Sequence, residues 1–246
     1  VTLAALDLPA DRVDLWITSV DAWDPDRARR DFLGWLDDRE RSTWNRYRFD
    51  RHRHLYLIAH ALVRRVLSLY DAAADPAAWR FRTAPGGKPE LARPAALPLR
   101  FNLSHTKTLA AVGVTGLGRI GVDVETGKSP DTMIALGRRF FAPPEVEALE
   151  SRSEAESAAL ALELWTLKEA FMKAVGLGMA LSPRRFAFDV DGRPPWRLAW
   201  TGLASEPPER WTFETFAFEG ARAAVAVETN RRPIVLVRTL GPPDWI

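Results

Sequence analysis

The stretch from Leu160 to Gly178 constrains the chain most. Leu160, Leu164, Leu167, Phe171 and Ala174/Val175 recur at i, i+3/i+4 and i+7, the apolar stripe of a helix lying against a core. Gly176-Leu-Gly178 follows, a signal for a helix C-cap. With that stripe turned inward, Glu169 and Lys173 point the other way. Trp165, four residues before Glu169, joins them along one edge. A Glu-before-Lys pair at i,i+4 is also ordinary on a solvated helix, where it adds roughly 0.2–0.5 kcal/mol. The rest of the sequence decides between that reading and a site built on this edge.

Ile120-Gly-Val-Asp-Val-Glu125 reads as a strand, joined to a strand at Leu109–Val114 by Thr115-Gly-Leu-Gly118, so the glycine signals predict a hairpin. Period two puts Ile120, Val122 and Val124 on one face. Gly121, Asp123 and Glu125 take the other, the two acids roughly 7 Å apart along the strand. Acids run against strand preference. Either this is a solvated sheet edge, or the carboxylates serve a hard cation such as Mg²⁺, which takes a few carboxylates and leaves positions for water and phosphate.

Basic residues gather elsewhere. Arg46, Arg48, Arg51 and Arg53 crowd the start of a long amphipathic helix within residues 52–70; they suit a solvated face or a phosphate clamp at a helix N-terminus. His52, His54 and His60 on that segment lack an accompanying carboxylate motif and read as structural. Trp79-Arg-Phe-Arg82 is a short strand, and Pro85-Gly-Gly-Lys-Pro89 a turn presenting Lys88. Only five of the 34 basic residues are lysines, and Lys88, Lys168 and Lys173 are three of them, which hints at a need for compact point charges there. Phe101-Asn-Leu-Ser-His105 is a strand end that presents Ser104 and His105. Triad partners are rarely sequence neighbours and no G-x-S-x-G elbow exists, so phosphate or cofactor contact is the preferred role for both.

No cysteine is present, which excludes disulfides, thiolate metal sites and a Cys nucleophile. Apolar residues make up 47% and charged residues 27%, as in an ordinary folded enzyme. No run of 18 apolar residues occurs and no signal pattern opens the chain, so a cytoplasmic protein with no membrane partner is expected. A net charge of +2 leaves attraction to polyanions to local patches, and no nucleic-acid partner is expected. Strands are expected at 13–20, 186–190, 196–200, 211–218, 223–228 and 234–240, the later ones as a mostly antiparallel sheet, with a helix from Pro25 to about Asp37. Helices and meandering strands in both halves indicate an α+β fold, divided into lobes at 1–118 and 119–246.

Phe-Asn-Leu-Ser-His (101–105), Gly-Val-Asp-Val-Glu (121–125) and Trp-Thr-Leu-Lys-Glu-Ala-Phe-Met-Lys (165–173), in this order, resemble the 4′-phosphopantetheinyl transferases of the surfactin-synthetase-activating type. The resemblance spans roughly residues 40–190 and includes Gly-Lys-Pro and the arginine-rich helix start. It implies a pseudo-twofold monomer of two similar α+β lobes with the active site in the cleft between them. It further implies transfer of phosphopantetheine from coenzyme A to a carrier-protein serine, with release of 3′,5′-ADP. Asp123, Glu125 and Glu169 would hold Mg²⁺, or Mn²⁺. Glu169 would be the general base and Lys173 would neutralise or protonate the leaving phosphate. Arg51, Arg82, Lys88, Ser104 and His105 would hold coenzyme A. The partner would be an acidic acyl, peptidyl or aryl carrier protein, with Arg138 and Arg139 near its docking region. Two other classes compete: another Mg²⁺-dependent nucleotide hydrolase using the same acids, and a non-catalytic basic module. Neither accounts for the three motifs together.

Overall fold

The computed structural model describes residues 5–93, 98–191, 195–218, 220–242 and 245. In chain order its elements begin with β1 (Arg12–Ser19), α1 (Pro25–Phe32), α2 (Asp38–Arg46), α3 (Asp50–Tyr70), β2 (Arg80–Thr83), β3 (Pro89–Arg93), β4 (Arg100–His105) and β5 (Leu109–Thr115). They continue with β6 (Ile120–Thr126), α4 (Pro130–Phe140), α5 (Pro143–Glu150), α6 (Glu154–Val175), β7 (Phe186–Phe188), β8 (Leu198–Thr201), β9 (Trp211–Phe218), β10 (Ala221–Glu228) and β11 (Ile234–Thr239). The fold is α+β. Two compact units form: one from residues 1–83, 89–116 and 234–246, the other from 84–88 and 117–233. The boundary expected at 118/119 is therefore crossed by two segments. The second crossing has a plain cause: β11 pairs in parallel with β1, from Arg12↔Ile234 to Ile17↔Thr239, and carries the end of the chain into the first unit.

In the first unit the strand order is β11-β1-β5-β4. β1 and β5 are interior strands, and β5 is buried throughout, so continuous apolar sequence replaces the alternation of a half-exposed strand. Leu57, Ile58, Leu62 and Val66 of α3 pack with Trp16, Val112 and Val114 in one core. The helix expected from Pro25 to Asp37 ends as α1 at Phe32 and tightens into a 3₁₀ turn at Leu33–Trp35. Glu40 completes a capping box with Asp37. It also meets His60 Nδ1 at 2.9 Å and accepts a hydrogen bond from Arg64. His54 Nε2 lies 3.1 Å from Val20 O, so His54 and His60 serve packing.

The second unit holds the antiparallel sheet β6-β10-β9 and the two-stranded β7-β8 pair. The expected hairpin of residues 109–125 does not form. β5 pairs with β1 and β4, and β6 pairs with β10, with Val122 opposite Val225. Gly116 to Arg119 is therefore a passage from one sheet to another, which glycine spacing alone does not distinguish from a turn within one sheet. The late strands are likewise shared among three sheets and not one.

α6 crosses the β6-β10-β9 sheet. Glu156 Oε2 accepts from Ser153 N (3.1 Å) and Ser153 Oγ (2.5 Å) at its start. Glu154 and Glu156 in the first turn and Lys173 in the last suit the helix dipole. Gly176, at φ 84°, ends the helix and donates to Met172 O at 3.1 Å, a left-handed cap that glycine adopts without steric cost. Phe171 is fully buried among Phe186, Trp211 and Phe213, with ring centroids 4.8, 5.1 and 6.0 Å away; truncating such a side chain to Ala costs about 3–5 kcal/mol. Burial is wider than one stripe. Thr166, Lys168, Ala170 and Met172 are buried too, and in the last three turns partial exposure falls on Trp165, Glu169, Lys173 and Val175. Among the described residues no helix is long and apolar enough to cross a membrane.

Candidate active site

Gly121 lets β6 and α6 approach at backbone distance. A Cβ there would lie 1.9 Å from Ala170 O and 2.4 Å from Ala174 N. Any side chain would hold the helix off the strand, so the acids of β6 meet the exposed edge of α6 because this residue is glycine. Asp123, 4% exposed, takes Lys173 Nζ at 2.7 Å on Oδ1. Glu125 Oε1 accepts the Trp165 indole N–H at 3.0 Å, and the Trp165 ring packs on Phe140 with centroids 5.7 Å apart. The solvated-edge reading of β6 fails, since Asp123 is covered by the helix.

The electrostatics follow from this crowding. Burial pushes the Glu169 carboxyl up to about 7. Asp123 and then Glu125 push in the same direction, against the opposing pull of Lys173. Glu125 is also raised, by burial first and by Asp123 second, while the Trp165 hydrogen bond, Lys128 and Lys173 oppose the shift. A carboxyl near neutrality is a competent proton acceptor and donor at physiological pH.

Among the described residues no three His, Asp or Glu side chains are gathered into a cage that could hold a metal ion. The donor chemistry nevertheless fits a hard divalent cation. Two acids of one strand and one of the helix facing it are all oxygen ligands; burial first and the Asp123 charge second raise Glu169 and Glu125, and a bound cation would relieve that carboxylate repulsion. In the arrangement seen here, Lys173 supplies neutralising charge to Asp123.

The other expected contacts are placed as follows. Lys88 lies in the second unit, where its Nζ donates to Ile120 O at 2.5 Å and sits 3.5 Å from Ala174 O. It thus bridges the start of β6 and the last carbonyls of α6. The turn before it is equally close: a Cβ on Gly86 would lie 1.4 Å from Gly176 O. Arg51, Arg82, Ser104 and His105 belong to the first unit. Arg51 is exposed on the first turn of α3, 5.0 Å from the Phe49 ring. Arg82 pairs with Glu90 at 3.0 Å across the β2-β3 hairpin. Ser104 is buried on β4 opposite Ala111, and His105 is exposed opposite Ala110.

Sequence reasoning missed Glu145. Its position just after Pro143-Pro144 fits an acid at a helix start, but it is fully buried and 2.8 Å from the equally buried Lys168. The scarcity of lysine was the one available signal for that partner.

A family model described as the 4′-phosphopantetheinyl transferase superfamily matches residues 119–227, the segment containing β6, α6 and the strands β9 and β10 of the same sheet as β6. The 4′-phosphopantetheinyl transferase HetI of Nostoc sp. is 34% identical over 176 residues, covering 71% of this chain and 73% of the relative. A putative 4′-phosphopantetheinyl transferase of Synechocystis sp. is 33% identical, covering 59% of this chain and 58% of the relative. The 4′-phosphopantetheinyl transferase Sfp of Bacillus subtilis is 28% identical, with 61% and 64% covered. The chain belongs to the 4′-phosphopantetheinyl transferase superfamily. It is a transferase.

Proposed function

We propose that this chain transfers 4′-phosphopantetheine from coenzyme A to a serine of an acyl, peptidyl or aryl carrier protein and releases 3′,5′-ADP. The observation that carries the reading is the Glu169 carboxyl, held near neutrality beside the Asp123–Lys173 pair, inside the segment that matches the family. The serine Oγ attacks the β-phosphorus of coenzyme A, and Glu169 takes the hydroxyl proton. The bond from that phosphorus to the bridging oxygen breaks, and the oxygen leaves with 3′,5′-ADP. Lys173, one turn along the helix, neutralises the charge that develops on the leaving phosphate. Asp123, Glu125 and Glu169 would hold Mg²⁺, with Mn²⁺ as a chemical alternative, and the cation would supply charge neutralisation at the pyrophosphate.

By family resemblance, the adenosine-phosphate contacts fall on Arg51, Arg82, Ser104, His105 and Lys88. Arg138 and Arg139, in the last turn of α4, offer cationic surface to an acidic carrier, and the reading is of a cytoplasmic monomer. The test is nucleotide release from coenzyme A and Mg²⁺ with and without an apo carrier protein. Release of 3′,5′-ADP only in the presence of carrier is the expected result. Carrier-independent hydrolysis would overturn the reading in favour of a nucleotide hydrolase.

A further inference from the structure

Glu145 and Lys168 form a closed polar node inside an aromatic shell. Both side chains are 0% exposed and lie 2.8 Å apart. Lys168 Nζ also donates to Pro183 O at 2.9 Å and Phe186 O at 2.8 Å, so its three protons have three acceptors. Glu145 accepts in turn from Ala142 N and Phe188 N, each at 2.9 Å. The rings of Phe186, Phe141 and Phe188 surround the ammonium at 4.3, 5.6 and 6.0 Å. Three acceptors, from the first turn of α5, the 183–185 turn and the start of β7, thus converge on one lysine of α6, and two backbone N–H groups hold its carboxylate partner.

Lys168 immediately precedes Glu169, so the two side chains leave the helix about 100° apart. The apolar contacts that bury α6 have no preferred direction and tolerate rotation of a cylinder against its neighbours. The Lys168 contacts are directional. A roll of roughly 20° would carry a carboxylate about 2 Å sideways at the radius where helix side chains end, and misplacements near 1 Å can cost about 10²-fold in rate. A buried ion pair is also a weak source of stability compared with apolar residues of the same size, and fixing one arrangement is its better-attested use.

We propose that the Glu145–Lys168 node sets the roll of α6 about its own axis, making Lys168 a positioning residue for Glu169 and Lys173 and not a group that touches substrate. The inference rests on the transferase function proposed above. It assigns a purpose to a second lysine of the Trp-Thr-Leu-Lys-Glu-Ala-Phe-Met-Lys stretch, one that cannot reach solvent in this fold.

The test compares the full chain with Lys168→Met, Glu145→Gln and the double variant Lys168→Met/Glu145→Gln, measuring thermal midpoint, and kcat and KM for coenzyme A and carrier. Each single variant strands a buried partner and is expected to lower the midpoint. The double variant removes both charges and is expected to recover most of that loss. A positioning role predicts kcat roughly 10- to 100-fold below wild type in the double variant, with both KM values within about threefold of wild type. Recovery of kcat together with the midpoint would show that the node serves stability alone and would overturn the proposal. So would a rise in KM for coenzyme A that accounts for the whole loss. Wild-type loading is the control that separates the failures: a wild-type chain that loads no carrier overturns the transferase function and this proposal with it, whereas normal wild-type loading with an unimpaired double variant overturns this proposal only.

Discussion

Replacing Gly121 with Ala tests the geometry of the site through one methyl group. The added carbon would lie 1.9 Å from Ala170 O and 2.4 Å from Ala174 N. Both are backbone atoms of α6, so no side chain can swing aside. Restoring a contact of about 3.5 Å requires roughly 1.5 Å of separation between strand and helix. The Lys173–Asp123 bond, now 2.7 Å, would open toward about 4 Å on that displacement, beyond hydrogen-bond range. Overpacking of this kind costs about 1–3 kcal/mol, or roughly 2–12 °C in Tm for a chain of this size. Displacement of Glu169 and Lys173 by more than 1 Å should lower turnover by about 10²-fold or more. The assays are thermal unfolding and the rate of carrier loading followed by intact mass. Gly116→Ala is the control, since nothing lies within 4 Å of a Cβ there, and it should leave both readouts unchanged. A Gly121→Ala chain with wild-type Tm and wild-type loading would refute the claim that backbone contact between β6 and α6 builds the site.

Other expectations follow from the same contacts. Lys173→Met leaves Asp123 without its 2.7 Å ammonium partner and should lower kcat by about 10²–10³-fold, the usual loss when one stabilising donor is removed; unchanged kcat would remove Lys173 from the mechanism. Glu169 keeps its proton in the folded chain to about pH 7, whereas the unfolded group loses it near pH 4.3. The folded state therefore binds the extra proton across that window, and its contribution to stability falls as pH rises from about 4.5 to 7. Thermal midpoints in the presence of EDTA should show this slope in wild type and a shallower one in Glu169→Gln; identical slopes would contradict the assignment. Arg64 is fully buried against Glu40 and donates to Trp79 O at 3.0 Å; Glu40 keeps Asp37 N and His60 as partners, so Arg64→Met should cost about 1.5–3 kcal/mol, the loss of a charged hydrogen bond, measurable by denaturant unfolding.

Local signals located α6 well because helix phase and cap chemistry are written in consecutive residues. The apolar positions Leu164, Leu167 and Phe171 are buried, the glycine stop is a left-handed cap, and the Trp165-Glu169-Lys173 edge is the partly exposed one. The alternation in β6 likewise placed Asp123 and Glu125 on the strand that meets this edge. What failed was long-range pairing. Residues 115–119 look like a hairpin turn, yet β5 and β6 enter different sheets, and the partner of β6 is β10, some hundred residues later. No local pattern shows that β11 returns to β1. Burial of charge was also hidden, because Lys168 lies in a helix whose sequence pattern shows one apolar stripe, and its partner Glu145 reads as an ordinary acid at a helix start. The placement of Lys88 on two backbone carbonyls depends on the packing of a turn against a distant helix end, which spacing does not encode.

The most direct test of the central claim is the intact mass of an apo carrier protein after incubation with this chain, coenzyme A and Mg²⁺, beside a carrier whose acceptor serine is replaced by Ala and beside the Glu169→Ala enzyme. The account predicts a gain of one phosphopantetheine on the serine-bearing carrier, none on the Ser→Ala carrier, and a strong reduction with the Glu169→Ala enzyme or with EDTA. Full loading by the Glu169→Ala enzyme would contradict the role given to the α6 edge, and absence of loading on acyl, peptidyl and aryl carriers alike would contradict the proposed function itself.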